Sequence, residues 1–331
     1  MNISVAMTTY KSKTYVKEQL ESIFCQTRLP DEIVICDDAS PDDTVEYLEK
    51  IVKSAPKEIH IVIHKNIKNL GYQRNFEGCI KKCHGDVLFL CDADDVWDIQ
   101  KIEKVMNVFE RDDDVVMCFH DAFIIDGDGK KTGDSVNIGW DKRNDKTNSI
   151  ELARMELMRT GCPNGMVMAI SKKLVDFTLP FREEYGHDEW LIMCAPLLGK
   201  IVTLDDKLAY YRRHSSNTSG NKLNLKAKFK KLDRGGWFLH PGRLSNVYVD
   251  YMKRYGDLLD DETKSILEKR LYFDAEFAKI ESLEKFGVFV LLKLLFNGIY
   301  LMFRGNIKMF VLDELYLMYH VWDYIKAKKH K

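Results

Sequence analysis

Along the first 121 residues, short apolar runs alternate with longer stretches in which apolar residues recur every three or four positions. Short runs bounded by polar residues indicate buried strands, and the longer periodic stretches indicate amphipathic helices. The predicted strands are Ile3–Met7, Glu32–Cys36, Ile59–His64, Val87–Cys91 and Val115–Phe119, and the predicted helices lie near Thr14–Thr27, Asp42–Lys53, Tyr72–Cys83 and Ile99–Arg111. Because this alternation favours parallel strands joined by helical crossovers, we predict an α/β fold with a parallel, doubly wound sheet.

The pattern changes after residue 121. Residues 122–150 are polar, and Asp126-Gly127-Asp128-Gly129 is typical of a hairpin turn. Order resumes with a helix near Glu151–Arg159, a strand near Met166–Ile170, a helix near Asp188–Leu198 and a strand near Leu208–Arg213, and beyond about Asn221 helical patterns dominate. We therefore predict one domain over residues 1–220, with halves 1–121 and 122–220, followed by a helical C-terminal region over residues 221–331.

A strongly apolar stretch, Phe286–Phe303, lies in this C-terminal region. Twelve of its eighteen residues are Leu, Ile, Phe or Val, but Lys293 near its middle costs about 3 kcal/mol on insertion into a bilayer. A membrane-spanning helix is therefore marginal. Two alternatives stay open: a helix lying on the inner membrane surface, helped by the basic tail Lys326–Lys331, or the core of a helical bundle.

The overall composition is that of a globular protein. The 331 residues carry 50 Lys and Arg against 51 Asp and Glu, a net charge of −1, which argues against nucleic acid as a partner. The eight cysteines are scattered without a C-x-x-C pair, which favours free thiols in a reducing compartment. No basic segment with an apolar core precedes the first predicted strand, so we expect no secretory signal and a cytoplasmic location.

Three carboxylates follow the apolar strand that ends near Cys91: Asp92, Asp94 and Asp95. Ligands of open α/β sheets bind at the carboxyl ends of the strands. Crowded carboxylates repel one another unless a cation joins them, and their hard oxygen atoms suit a divalent Mg or Mn ion. The alternative for an isolated D-x-D is a solvated acidic loop, and the neighbouring motifs favour the metal.

Polar clusters also follow the first two predicted strands: Thr8-Thr9-Tyr10 and Asp37–Thr44. Neither contains G-x-G-x-x-G, which argues against a nicotinamide or flavin dinucleotide. A carboxylate at a strand end can accept hydrogen bonds from a nucleobase imide or a ribose hydroxyl, and we assign that role to Asp38. Asp42 and Asp43 are interpreted as stabilising the start of the next helix.

The segment Asn69–Asn75 opens another predicted helix. Arg74 lies on its first turn, where a cation opposes the helix dipole. This unfavourable placement suggests pairing with a phosphate or with the aspartates, and a plain surface arginine is the alternative.

These motifs, T-T-Y, D-D-A-S-P-D-D-T, N-L-G-Y-Q-R-N and D-A-D-D in that order, resemble family 2 of the inverting glycosyltransferases over roughly residues 1–215. The resemblance implies the GT-A fold, with a nucleotide-binding half fused to an acceptor-binding half. By that resemblance Thr9, Tyr10 and Asp38 line the nucleoside pocket, Arg74 lies near the phosphates or the acidic pair, Asp92 touches ribose or metal, and Asp94 binds the metal. The divalent ion, Mn or Mg, would stabilise the leaving nucleoside diphosphate.

The resemblance also assigns residues in the second half. Gly165 ends a glycine-bearing segment whose backbone approaches donor or acceptor sugar. Asp188 matches the general base, with Glu189 next to it, and the alternative is a helix cap. Trp190 either stacks under a sugar ring or packs in the core. His214 would reach the metal or the diphosphate beside Arg212 and Arg213, whose charges suit diphosphate.

The leading hypothesis is a metal-assisted inverting glycosyltransferase. It would move a sugar from a dTDP- or UDP-sugar to a glycan or lipid-linked acceptor in bacterial capsule or O-antigen synthesis, at the inner face of the membrane. Bacterial rhamnosyltransferases are a weaker part of the resemblance. The alternatives are a sugar-nucleotide nucleotidyltransferase, which would need a glycine-rich triphosphate loop after strand one, and a noncatalytic membrane-associated scaffold on the same fold.

Overall fold

The computed structural model describes residues 1–135, 164–182, 186–214, 217 and 245–281. The chain divides into two compact units. The first contains residues 1–153 and 161–221, and the second contains residues 154–160 and 222–331. The predicted helix Glu151–Arg159 and the apolar stretch Phe286–Phe303 lie outside the described residues.

In the described part of the first unit, nine strands form one sheet. They are β1 Ile3–Thr9, β2 Glu32–Asp37, β3 His60–Lys65, β4 Val87–Asp92, β5 Val96–Trp97, β6 Val115–Ile125, β7 Lys131–Ser135, β8 Met168–Ser171 and β9 Lys200–Arg212. The helices are α1 Val16–Phe24, α2 Thr44–Ile51, α3 Tyr72–Ile80, α4 Lys101–Phe109, α5 Lys172–Thr178 and α6 His187–Cys194. Short 3₁₀ turns lie at Val52–Ser54, Gly165–Val167 and Ala195–Leu197.

The sheet is mixed. Its strand order is β3-β2-β1-β4-β8-β6-β9-β5, with β7 paired to β6. The first four strands are parallel, as predicted, because helical crossovers join them. The five strands predicted over residues 1–121 run in one direction, but β8, from the second half, runs antiparallel to both β4 and β6 and separates them.

The core lies on both faces of the parallel strands. Val87–Cys91 of β4 is buried throughout, which explains why it reads as a continuous apolar run. Helix α3 packs on β1 and β2 with Phe76 and Ile80 buried, and α4 packs on β6 through Met106 and neighbouring residues. Each fully buried large apolar side chain contributes about 1.5–3 kcal/mol relative to an exposed one.

Strand register gathers the polar strand ends at one edge. Thr9 of β1 pairs with Asp37 of β2, and Thr8 pairs with Asp92 of β4. Because β8 is antiparallel to β4, with Phe89 opposite Ala169, the turn that enters β8 comes from the same edge. The reversed strand therefore brings a second set of loops to the carboxyl ends of the parallel strands.

Several elements differ from the predicted ones. The helix expected over Asp188–Leu198 ends its α-helical part at Cys194, because Pro196 starts a 3₁₀ turn there. Helix α5 was missed, although Ser171 caps it by accepting a hydrogen bond from Leu174 N (3.2 Å). The last predicted strand is much longer, and the Asp-Gly hairpin turn between β6 and β7 is confirmed.

The second unit contains α7 Ser245–Tyr255 and α8 Asp261–Glu281. Its described core is aromatic: Tyr248, Tyr251 and Tyr255 are buried at helical spacing on α7. Arg270 of α8 lies 5.4 Å above the ring of Tyr248, so a cation–π contact joins the two helices. Within the described ranges, no helix combines the length and the apolar character needed to cross a membrane.

Candidate active site

Asp94 and His214 form a pair at the carboxyl edge of the sheet. His214 Nε2 lies 2.9 Å from Asp94 Oδ2, although the two residues are 120 positions apart in the chain. The end of β9 is tied to the acidic turn because Arg212 N donates to Asp95 Oδ1 (2.9 Å). The structure thus brings together the two residues that the sequence assigned to a metal.

The pair fits a divalent cation. Two ligands at right angles, each about 2.1 Å from Mg²⁺, stand about 3 Å apart, which matches the separation of the Asp94 and His214 atoms. Carboxylate oxygen with imidazole nitrogen suits Mn²⁺ as well. No group of three or more His, Cys, Asp or Glu in the described part of the chain is arranged as a metal site. Two protein ligands are sufficient where substrate phosphates and water complete the coordination.

Asp92 is the last residue of β4 and lies at the same edge of the sheet. Loss of hydration in the cleft, together with the negative charges of Asp94 and Asp188, raises the pKa of Asp92 to about 7. Burial likewise raises the pKa of Asp95, whose Oδ2 has no hydrogen-bond partner in the described part of the chain. The crowding therefore disfavours ionisation of Asp92 and Asp95, and a cation bound nearby would favour their charged forms.

The loops after β1 and β2 form one wall. Thr9 is buried and donates from Oγ1 to Asp37 Oδ2 (3.0 Å), whereas the neighbouring Tyr10 is 46% exposed. Lys11 and Ala39 both have positive φ, 53° and 56°, which costs about 1–2 kcal/mol per residue without glycine. Lys11 N donates to Ser40 Oγ (2.9 Å) and holds the two loops together.

Asp38 has a structural role that its sequence context did not reveal. Its Oδ1 accepts from Asn66 Nδ2 (2.9 Å) and Leu70 N (2.8 Å), and its Oδ2 accepts from Gly71 N (2.9 Å). A carboxylate offers about four acceptor positions, so these bonds leave about one for a ligand. Asp38 therefore shapes the loop before α3, and the positive φ of Gly71 (84°) permits that loop's turn.

Arg74 is exposed on the first turn of α3. The start of this helix is held against β2 because Asn75 Nδ2 donates to Cys36 O (2.9 Å) and Asn75 Oδ1 accepts from Asn66 Nδ2 (2.9 Å). The helix start that carries Arg74 is therefore anchored to the strand that precedes Asp38.

Asp188 and Glu189, on the first turn of α6, accept hydrogen bonds from different parts of the chain. Glu189 Oε2 accepts from Gly186 N (3.1 Å) and so caps the helix. Asp188 Oδ2 instead accepts from Gly165 N (3.3 Å), and its Oδ1 accepts from Glu189 N (3.0 Å). Gly165 and Asp188, which the sequence assigned to sugar and base, are thus in direct contact.

His187 was missed as a site residue. It is buried, its ring stacks on Phe76 (4.1 Å between centroids), and neither ring nitrogen has a hydrogen-bond partner in the described part of the chain. Burial lowers the pKa of His187, and the charge of Asp188 partly offsets that effect. The histidine directly before the predicted base was the one available sequence signal.

Two expectations are corrected by burial. Trp190 is fully buried and donates from Nε1 to Thr178 O (3.1 Å), so it packs in the core and does not stack under a sugar. Arg212 is 1% exposed and bonded to main-chain oxygens, so it is not placed to bind a diphosphate. Arg213, the next residue, is exposed.

Lys101 is a buried cation that the sequence did not single out. Its Nζ donates to Met166 O (2.8 Å) and lies 3.8 Å above the ring of Trp97. Burial lowers the pKa of Lys101 to about 7, while the charges of Cys91, Asp95 and Asp92 act in the opposite direction. The lysine joins α4 to the turn that contains Gly165.

Sequence comparison places these residues among known proteins. The profile described as Glycosyl transferase family 2 matches residues 4–175. An uncharacterized glycosyltransferase, alr2836 of Nostoc, is 28% identical over 77% of this chain and 77% of its own length. The UDP-Glc:alpha-D-GlcNAc-diphosphoundecaprenol beta-1,3-glucosyltransferase WfaP of Escherichia coli is 27% identical over 67% of this chain and 81% of its own. The dTDP-rhamnosyl transferase RfbG of Shigella flexneri is 25% identical over 70% and 80%.

Solved structures share the fold. The crystal structure of Staphylococcus aureus TarS with UDP-GlcNAc superposes with a TM-score of 0.59, at 17% identity, over 84% of this chain and 73% of that chain. The mannosyltransferase PcManGT of Pyrobaculum calidifontis, in complex with GDP-Man and Mn²⁺, gives 0.51 at 15% identity over 98% and 84%. The predicted GT-A fold is confirmed.

Proposed function

Since the chain belongs to glycosyl transferase family 2, we propose that it transfers a sugar from a nucleoside-diphosphate donor to a hydroxyl of a glycan or lipid-linked acceptor in bacterial surface-polysaccharide synthesis, including capsule or O-antigen. The observation that carries this proposal is that two groups of residues meet at one sheet edge. One group contains Asp92 and the Asp94–His214 pair, and the other contributes Asp188, whose charge acts on Asp92. A transferase needs both, because one serves the leaving group and the other serves the acceptor.

In the proposed reaction, Asp188 accepts the proton of the acceptor hydroxyl as its oxygen forms a bond to the sugar C1. The bond between C1 and the diphosphate oxygen breaks, and the configuration at C1 is inverted. The Gly165 N–H holds one oxygen of Asp188, which limits the orientations that the carboxylate can adopt. A divalent Mn or Mg ion held by Asp94 and His214 would supply positive charge for the departing diphosphate.

The nucleoside end of the donor is proposed to lie against the loops after β1 and β2. Tyr10 is exposed there, Thr9 fixes the wall through Asp37, and Asp38 keeps about one acceptor position for a base or ribose. Arg74, exposed on α3, is proposed to face the phosphates, and Asp92 the ribose or the ion.

The donor and acceptor classes are proposed from relatives. WfaP is named for UDP-Glc and a diphosphoundecaprenol-linked sugar, and RfbG for a dTDP-rhamnosyl donor. UDP-hexoses and dTDP-rhamnose are therefore the first donors to test, with a lipid-diphosphate-linked sugar as acceptor. Such an acceptor would place the enzyme at the cytoplasmic face of the membrane, as a peripheral protein.

The test is a panel of sugar nucleotides assayed for transfer with Mn²⁺ or Mg²⁺ and after chelation. Asp188→Asn should lower transfer by about 10²–10⁴-fold, the usual contribution of a general base, while nucleoside-diphosphate binding measured by calorimetry is unchanged. Asp176→Asn, an exposed carboxylate on α5 paired with Lys172, is the matched control and should keep full activity. Full activity of Asp188→Asn would show that Asp188 is not the general base. If the protein bound no nucleotide, the noncatalytic scaffold would be the favoured alternative.

A further inference from the structure

We propose that Arg212 is a positioning residue that fixes the Asp94–His214 pair, holding Asp94 through its main chain and His214 through the ring of Tyr15. The inference rests on the proposed function, because it concerns the same site. Arg212 is 1% exposed at the end of β9, which is unusual for a charged side chain. A buried guanidinium is stable only where its donors are satisfied.

The first half of the arrangement is main-chain recognition. Arg212 N donates to Asp95 Oδ1 (2.9 Å), and Arg212 Nε donates to Asp94 O (2.8 Å). Both bonds lie on the C-terminal side of Asp94: the Nε bond holds its carbonyl oxygen, and the main-chain N bond holds the side chain of the next residue. The direction in which the Asp94 carboxylate leaves the turn therefore depends on Arg212.

The far end of the guanidinium binds two other elements. One terminal nitrogen donates to Gly127 O (3.3 Å) and Asp126 O (3.5 Å) in the turn between β6 and β7. The other donates to the carboxylate of Glu18 on α1. Three separate segments thus converge on one side chain, which fixes its position relative to the acidic turn.

The second half of the arrangement is a ring contact. The Arg212 Cζ lies 4.7 Å from the centroid of Tyr15, and the same ring lies 4.8 Å from the imidazole of His214 at an interplanar angle of 33°. The tyrosine ring attracts the guanidinium through its π face. Because the Tyr15 ring contacts both groups, the position of the His214 imidazole depends on that of Arg212.

Asn217 completes the arrangement. Its Nδ2 donates to Arg212 O (3.0 Å) and to Asp94 Oδ2 (3.3 Å), and its Oδ1 accepts from His214 N. His214 and Asn217 therefore both contact the carboxylate of Asp94. Lysine at position 212 would keep the main-chain bonds to Asp95 and Asn217. It could not reproduce the guanidinium contacts, because it offers one ammonium group where arginine offers five donors in a plane.

The test is Mn²⁺ binding to the full chain, titrated by electron paramagnetic resonance, with Arg212→Lys compared with the wild type. Loss of an outer residue that orients a ligand lowers metal affinity by about 10–100-fold, and this is the expected result. The turnover number should fall in the same variant, whereas UDP or dTDP binding without metal should be unchanged. Arg28→Lys is the matched control, because Arg28 pairs with Glu110 (2.7 Å) on the surface, apart from these residues.

Unchanged Mn²⁺ affinity in a folded Arg212→Lys variant would overturn the inference, as would a wild-type protein that binds no Mn²⁺. Should that variant fail to fold, Tyr15→Leu decides, since it removes only the ring contact and is expected to weaken Mn²⁺ binding. Unaltered binding in Tyr15→Leu would then contradict the inference. Because metal binding is measured without turnover, weakened binding in the variant supports the inference even if no donor in the panel is used.

Discussion

Gly165 and His187 are packed so closely that a Cβ atom on residue 165 would lie 2.7 Å from His187 Nε2. His187 in turn stacks on Phe76 of α3, and Gly165 N donates to Asp188. The turn before β8, the start of α6 and helix α3 therefore meet at one imidazole. This contact explains why residue 165 must lack a side chain, although its φ is an ordinary one.

Gly165→Ala should therefore displace His187 and, with it, the carboxylate of Asp188. We expect a loss of about 1–3 kcal/mol in the free energy of unfolding, typical of an overpacked core, and a clear fall in turnover number. Urea unfolding and steady-state kinetics measure the two effects. Gly78→Ala on α3 is the control: nothing lies within 4 Å of its added methyl group, so it should stabilise by about 0.5–1 kcal/mol. Equal behaviour of the two variants would show that the contact is unimportant.

His187→Phe should change the dependence of stability on pH. Burial lowers the pKa of His187 below the value of 6.5 in the unfolded chain, so the unfolded chain binds the extra proton as the pH falls. The stability of the wild type is therefore lost progressively below about pH 6.5. Phenylalanine keeps the stacking on Phe76 but cannot bind a proton. The stability of the variant relative to the wild type should therefore increase as the pH falls from 7.5 to 5.

The measurement is the urea midpoint of both proteins across that pH range. Replacement of the exposed His60 on β3 by Gln is the control and should leave the pH profile of the wild type in place. A constant difference between wild type and His187→Phe at every pH would contradict this account of His187.

Asp94→Asn should remove most of the affinity for Mn²⁺. The substitution keeps the size of the side chain but loses the charge that pairs with the ion, and outer-residue changes alone already cost about 10–100-fold. Mn²⁺ titration and metal-dependent transfer should fall together. Asp113→Asn, an exposed carboxylate before β6, is the control. Retention of Mn²⁺ affinity by Asp94→Asn would assign the ion to other ligands.

Asp38→Asn should loosen the loop before α3. The carboxylate accepts from the backbone N–H groups of Leu70 and Gly71, and an amide can satisfy only one of them well, which costs about 1–3 kcal/mol. The Michaelis constant for the donor should rise because the nucleoside wall moves. The control is Asp43→Asn, which removes only a solvent-screened surface pair with Lys13. If the Michaelis constant for the donor were the same in Asp38→Asn and in the control, Asp38 would have no role in nucleotide binding.

The parallel half of the sheet could be predicted because its information is local. β1, β2 and β4 are each a mainly apolar run that ends in polar residues, and parallel pairing then brings those ends to one edge. The position of Asp94 at that edge follows for the same reason, and its role as a metal ligand stays a prediction. The placement of β8 between β4 and β6 could not be predicted, because the sequence of a four-residue strand does not indicate which strands it pairs with.

Other residues could not be assigned because their partners are distant in sequence. Asp38 is held by amides 32 and 33 positions later, and Arg212 by carbonyls 85 to 118 positions earlier. A charged residue read in isolation suggests solvent or a phosphate. Only the folded chain reveals that main-chain oxygens and the Glu18 carboxylate accept from the guanidinium of Arg212, and that Trp190 is buried.

The reversed direction of β8 has a consequence for how substitutions combine. It brings Asp188 into electrostatic range of Asp92, although the two carboxylates belong to opposite halves of the unit. Replacing Asp188 by a neutral residue therefore also favours the ionised form of Asp92. The effects of substitutions at Asp92 and Asp188 on activity should therefore not be additive. A double-mutant cycle would measure their interaction energy, which depends on the direction in which the four-residue strand β8 runs.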